Sequence, residues 1–202
     1  MNFLRFPELT RRGVRHFFTL REATSPGSHE LVERLQNAGL PVAMVSAEQI
    51  HGAGVAKVGP TESGKVIPQA DALITGEANL SLVVRVADCG PVWLHCAKTG
   101  AMGLVHSGRK GTELGVVAAT IRMMKNELGA EPNRMLALLG PCIRPPHYDV
   151  DFASEILRQL KQEGIAEVVD SGLCTARDAE RFYSYRRDRG KTGRHFAAMA
   201  SG

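Results

Sequence analysis

The sequence predicts an α/β fold in a single domain, and three observations carry that expectation. Short apolar runs alternate with amphipathic helical stretches near both ends, and a strand-rich stretch fills the middle. The 202 residues, 44% hydrophobic and 23% charged, suffice for one full core. "VRHFFTL" (14–20) and "VAMVSAE" (42–48) read as strands. Between them "SHELVERLQNAG" spaces its apolar residues as a helix does, with Ser28 as a candidate cap and Gly39 as its end. From residue 50 to 106 the strand candidates "GVAKVG", "DALIT", "LSLVVRV", "PVWLHC" and "AMGLVH" follow one another, punctuated by turn residues. Alternation then resumes, with helices over about 112–128 and 152–163 and strands at "RMLALLG" and "EVVD". No internal repeat or low-complexity linker interrupts the pattern, so one domain over residues 1–202 is expected.

Charge narrows the partners. A formal net charge of +4 suits an anionic ligand, but acids are interspersed with the bases, which favours phosphate over nucleic acid. Cys89, Cys96, Cys142 and Cys174 lack paired spacing, and "MNFLRFPELT" lacks the long apolar core of a secretory signal, so a reducing cytoplasm is the expected setting. The most apolar stretch, "LSLVVRVADCGPVWLHC", is broken by Arg85, Asp88 and Pro91, and no membrane span is expected.

Three stretches put reactive side chains where apolar strands run out: "AEQIHGAG" with His51, "VRVADCGPV" with Asp88 and Cys89, and "GLVHSGRKG" with His106. Two imidazoles and a thiolate would give zinc three ligands and leave a fourth position for water, as in catalytic sites. The same residues also fit a buried cysteine with two hydrogen-bonded histidines, and sequence spacing does not separate the two. After His106, Gly108, Arg109, Lys110 and Gly111 lead into Thr112 and Glu113 at an expected helix start, where backbone N–H groups and cations would face an anion. From these residues alone an ordinary strand-to-helix turn, with a threonine cap and two solvated cations, is the favoured reading. "FYSYRRDRGKTGR" (182–194) interleaves Arg186, Arg187, Arg189, Lys191 and Arg194 with Tyr183 and Tyr185; such a segment would close over a nucleotide or pair with surface carboxylates.

Taken in order, "FFTLRE", "EQIHGAGV", "ADALIT", "VADCGPVWL", "GLVHSGRKGT", "LGPCIRPPHYDV", "GLCT" and "FYSYRRDRGKTGR" resemble the laccase-domain family, catalogued variously as polyphenol oxidase, peptidoglycan editing factor (YfiH-like) and purine nucleoside phosphorylase. The resemblance runs over nearly the whole chain. It implies a layered α/β sandwich related to the cysteine-dependent domain of cytotoxic necrotizing factor, and a zinc ion on His51, Cys89 and His106. It further implies phosphorolysis of adenosine, inosine, guanosine and methylthioadenosine and hydrolytic deamination of adenosine, with purine nucleoside and phosphate as the partners. Arg109 and Lys110 are the expected phosphate ligands. Asp88 is expected to carry a proton or to orient a ligand histidine. Substrate contacts are expected from Arg21, Gln49, Tyr148, Arg186, Arg187 and Arg194.

The loop that usually reads HxGWRG in this family has Arg109 in place of the tryptophan and Lys110 in place of the arginine, which removes an aromatic surface and a bidentate fork. The segments after "FTLRE" and between "HYDV" and "GLCT" are short for the family, and contacts carried there would be missing. Three other readings stand beside the zinc enzyme. A copper oxidase would use the same two histidines and cysteine as a blue-copper set, but a multicopper cluster needs many more histidines than the seven here, of which His16, His29, His95 and His195 sit outside the expected site, so zinc is expected over copper. A cysteine hydrolase acting in peptidoglycan precursor editing would use Cys89 as nucleophile and His106 as base. A shortened non-catalytic homologue would bind zinc without turnover. Cys142 is read as pocket lining or core, with His147 near the pocket, and Cys96 and Cys174 as packing. A monomer or weak homodimer is expected, with no nucleic acid or membrane partner.

Overall fold

Two six-stranded mixed sheets, stacked face to face, form the centre of the fold. The computed structural model describes residues 3–22 and 28–201. Sheet one orders its strands β1 (Phe3–Leu4), β2 (Val14–Thr19), β12 (His195–Ser201), β7 (Ser81–Val86), β3 (Met44–Ala47) and β5 (Val66–Ile67). Sheet two orders β11 (Glu167–Asp170), β10 (Met135–Leu139), β8 (Gly90–Cys96), β9 (Met102–Ser107), β6 (Ala72–Thr75) and β4 (Val55–Lys57). The helices are α1 (Pro7–Arg11), α2 (Ser28–Asn37), α3 (Arg109–Glu113), α4 (Val116–Leu128) and α5 (Phe152–Gln162).

Side-chain alternation explains the layering. Leu82, Val84 and Val86 of β7 point toward Trp93, Leu104, Leu136 and Leu138 of sheet two, forming the core between the sheets. Their neighbour Val83 points the other way and packs, with Phe17, Phe196 and Ala198, on Leu31 and Leu35 of α2. Val92, Leu94, Ala137 and Leu139 of sheet two likewise turn outward onto α4 and α5 through Val117, Ile121, Ile156 and Leu160. The result is a helix–sheet–sheet–helix sandwich, as the resemblance implied. Trp93, fully buried, ties the sheets together by donating from Nε1 to the Ala198 carbonyl at 3.1 Å.

Every strand read from the sequence is present, with ends that differ from the expected ones by at most two residues. The expected helix over 112–128 is two helices. Gly115, at φ 76, breaks it, and Gly108 rather than Thr112 stands at the first start. Thr112 lies inside α3, and its hydroxyl donates to the Gly108 carbonyl at 2.8 Å instead of accepting as a cap. Helix α2 begins at Ser28, but that side chain, and with it the expected cap, lies outside the described residues, as does His29. Strand β12 was not expected: "HFAAMAS" is alanine-rich, and its pairing with both β2 and β7 is a tertiary effect. No helix among the described residues is long and apolar enough to cross a membrane.

Candidate metal centre

The site forms where the two sheets meet. The loop after β3 in sheet one brings Gln49 and His51. The turn Ala87–Asp88–Cys89 carries the chain from β7 in sheet one to β8 in sheet two, and β9 ends at His106 and Ser107. Three non-glycine residues in these turns, Gln49 (φ 66), His51 (φ 61) and Asp88 (φ 84), take left-handed backbone conformations, strain of the kind found at functional sites. Hydrogen bonds hold each turn in place. Gln49 donates from Nε2 to the Arg85 carbonyl at 2.6 Å and accepts from the Arg85 N–H at 2.8 Å. Asp88 accepts from Thr175 Oγ1 at 2.6 Å and from the Arg186 N–H at 2.7 Å.

One donor atom each from His51, Cys89 and His106 lies within 4.8 Å of the others. Glycine is required beside them, because a Cβ on Gly108 would stand 2.5 Å from Cys89 Sγ. Asp71, fully buried at the start of β6, organises the group. Its Oδ1 accepts from His106 Nδ1 at 2.8 Å and from the His51 N–H at 2.9 Å, and Oδ2 accepts from the Gly52 N–H at 2.7 Å. The bond to Nδ1 leaves His106 Nε2 facing the sulfur, as in the carboxylate–histidine–metal arrangement.

Burial pushes the Cys89 thiol up, but the imidazoles of His106 and His51 more than reverse this and bring it down to about 7. Burial also opposes charge on His106, yet the Asp71 carboxylate and the Cys89 sulfur outweigh it and raise it to about 9. For Asp71, burial opposes ionisation, and hydrogen bonds from His106 and the Gly52 N–H hold the carboxyl below its ordinary value. A readily formed thiolate, two converging imidazoles and a buried orienting carboxylate fit a soft or borderline divalent ion with three protein ligands.

The triad opens into a cavity of about 1060 Å³. Gln49, Asp88, Arg109, Tyr148, Arg186 and Arg194 line it, as expected from the sequence. Arg109 pairs with Glu113 at 2.9 Å beside Tyr148, and the Arg186 guanidinium lies 5.5 Å from the ring centroid of that tyrosine.

Three expected site residues lie elsewhere. Lys110 is exposed and absent from the cavity lining, since one step along α3 rotates a side chain by about 100°. Arg187 turns inward, donating to the Thr175 and Phe182 carbonyls at 3.0 and 2.9 Å and pairing with Asp188. Arg21 lies over Tyr183 in a neighbouring hollow. Two expected roles also move. The carboxylate bonded to a ligand histidine is Asp71, which the sequence offered only as the start of a strand, and not Asp88. Gln49 spends its amide on the Arg85 backbone. Cys142 is buried in the core, where burial pushes its thiol up to about 12, and His147 is exposed outside the cavity. All four cysteines are free.

Comparison with known proteins matches this arrangement to a family. The protein named "Purine nucleoside phosphorylase SCO2081" from Streptomyces coelicolor is 35% identical over 180 residues, covering 76% of this chain and 73% of that protein. The crystal structure of YlmD from Geobacillus stearothermophilus superposes with a TM-score of 0.88 at 23% identity, covering 100% of this chain and 96% of that one. YfiH from Bacillus licheniformis gives a TM-score of 0.89 at 23% identity over 99% and 96% of the two chains. These two likenesses establish the fold. The family model described as "Multi-copper polyphenol oxidoreductase laccase" matches residues 28–155 and 148–201, which contain the whole triad, and this chain belongs to that family.

Proposed function

We propose that this protein is a purine nucleoside phosphorylase that also deaminates adenosine by hydrolysis, and that it holds one zinc ion on His51, Cys89 and His106. The observation that carries the reading is the convergence of these three donor groups within 4.8 Å in a cavity lined by arginines. The name of the Streptomyces coelicolor relative supports the phosphorylase part. Adenosine, inosine, guanosine and methylthioadenosine are the expected substrates. Four free thiols are compatible with a reducing cytoplasm.

A divalent ion bound there would supply Lewis acidity and lower the pKa of a coordinated water toward about 7. The chain's own residues do the remaining work. Asp71 fixes the His106 ring. Arg109 and Arg186, gathered on Tyr148, hold inorganic phosphate against C1′ of the ribose, where a phosphate oxygen forms the new bond as the C1′–N9 bond breaks and its electron pair leaves with the purine. Asp88 holds the Arg186 backbone in place through its carboxylate.

The test is an assay of the four nucleosides with and without phosphate, on protein whose metal has been measured. Arg109→Ala is expected to lower phosphate-dependent cleavage by roughly tenfold or more, the loss of a charge-assisted contact, and to leave deamination less affected. Equal losses in both reactions, or cleavage indifferent to phosphate, would refute the anion role. The same donor set accepts copper, and elemental analysis of the purified protein separates the two metals.

One observation favours a second reading. Cys89, His106 and Asp71 stand in the order of a nucleophile, its base and an orienting acid, with the thiol brought down to about 7. A cysteine hydrolase built this way stays active after chelation, whereas the metal enzyme does not.

A further inference from the structure

The cavity is more basic and longer than a nucleoside and one phosphate require. Arg85, Arg109, Arg186, Arg189 and Arg194 stand against Glu48 and Asp88 in the lining, and with Arg109 paired to Glu113 at 2.9 Å the formal excess among the described residues is two positive charges. Free phosphate, a mixture of mono- and dianion at neutral pH, leaves part of that excess unneutralised. Among the described residues, Arg189 has neither a carboxylate partner nor a stacking aromatic. At about 1060 Å³ the cavity already reaches the upper end of the range for small-molecule sites. It also continues. Gly190 and Arg194 are shared with an adjoining hollow of about 660 Å³, where Lys191 and Arg21 add two cations beside Glu22, a carboxylate already paired with Arg34, and no triad residue contributes.

The segment between the two spaces is a rigid turn. Gly190 N–H donates to the Tyr185 carbonyl at 2.8 Å and Lys191 N–H to Asp188 at 3.0 Å. The Asp188 carboxylate is fixed by Arg187 and by the Thr192 hydroxyl. Arg189 sits in this turn at φ 50, a left-handed conformation that a side chain rarely adopts, and Gly190 follows at φ 84. The turn therefore fixes the backbone from which Arg189 and Lys191 project, and Arg194 is held by the Thr192 and Gly193 carbonyls and the Tyr185 ring.

We propose that the turn carrying Arg189, Lys191 and Arg194 is a second phosphoryl subsite, so that the ligand filling the whole cleft is a purine nucleoside 5′-phosphate. This rests on the purine nucleoside reading of the same cavity. The reactive end of such a ligand lies at the His51–Cys89–His106 group, and its 5′-phosphoryl oxygens accept hydrogen bonds from the turn, apart from the inorganic phosphate held by Arg109 and Arg186.

Calorimetric titration of the full chain in phosphate-free buffer tests this with inosine and inosine 5′-monophosphate, which have no amino group to lose. The monophosphate is expected to bind roughly tenfold tighter, the effect of added charge-assisted bonds. Arg189→Gln combined with Lys191→Gln, both at exposed positions, erases that advantage and changes inosine affinity by less than about twofold. Equal affinities in the native protein, or an advantage that survives both substitutions, overturn the proposal. So does a titration in which inorganic phosphate alone depends on Arg189 and Lys191 while the monophosphate shows no gain, because the turn then serves a free anion. A separate assay of inosine phosphorolysis keeps the two readings apart. No turnover with the monophosphate preference intact removes only the phosphorylase reading, and turnover without the preference removes only this subsite.

Discussion

Asp71 determines more of the chemistry than any ligand does, because one buried carboxylate sets the ring of His106 and the backbone of His51 together. Asp71→Asn keeps the volume and most of the hydrogen bonds but removes the charge facing the imidazole. Metal affinity is expected to fall about 10- to 100-fold, read by titration against a competing chelator. In metal-free protein, alkylation of Cys89 rises with pH as the thiol becomes thiolate, inflecting near 7. The Asn variant moves that inflection upward, because His106 loses a partner that keeps it protonated beside the sulfur. An unmoved inflection would show that the carboxylate has no part in activating the thiol. The ligands themselves were legible in the sequence as residues at the ends of apolar runs and as motifs in a fixed order. Asp71 was not, since its role depends on β6 lying beside β9. Lys110 and Arg109 look equivalent in sequence, and only the helical rotation after Gly108 separates them.

Strands with a plain periodic or β-branched pattern were readable, whereas β12 takes its form from where it lies. It runs between β2 and β7 with both faces covered, so its alanines are small because neighbours on each side leave little room. Its first residue, His195, is fully buried, donates from Nδ1 to the Thr19 carbonyl at 2.7 Å and accepts at Nε2 from the Tyr183 N–H at 2.8 Å. Burial holds this ring neutral and lowers it to about 4, the bond from Nδ1 to the Thr19 carbonyl offsetting only part of the effect. The unfolded chain takes up a proton near 6.5 and the folded chain does not, so the unfolded state binds more protons as pH falls from 6.5 toward 4 and stability is lost across that window. Between pH 7.5 and pH 5 the loss from this residue is expected to be about 2 kcal/mol. His106, shifted upward, gives a slope of the opposite sign, so the His195 contribution is read as a difference. Urea unfolding at both pH values should show a smaller acid loss in His195→Gln than in the native protein. An identical loss in the two would mean that the ring is already charged in the folded state.

The centre also joins the two halves of the molecule. His51 comes from a loop of sheet one, His106 from the end of a strand of sheet two, and Cys89 from the turn that passes between them. The α/β class was readable from alternation and the layering from the resemblance alone, but nothing in a linear pattern reveals that three such turns lie at one end of the same sandwich. An ion that binds the folded chain and not the unfolded one stabilises by mass action, by about 4 kcal/mol when its free concentration is a thousand times Kd. Bridging the sheets makes that gain global rather than confined to one loop, because separating the layers breaks the coordination. At roughly 2–4 °C per kcal/mol for a chain of this size, removal of the metal by a chelator is expected to lower Tm by about 10 °C. Returning zinc should restore it. Cys89→Ala, which removes a ligand without opening the core, should melt near the chelated value and respond to neither chelator nor zinc. If the native protein melts at one temperature whether or not chelator is present, and elemental analysis shows metal bound before treatment, then the unfolded chain binds the ion as tightly as the folded one does and the coordination does not hold the sheets together.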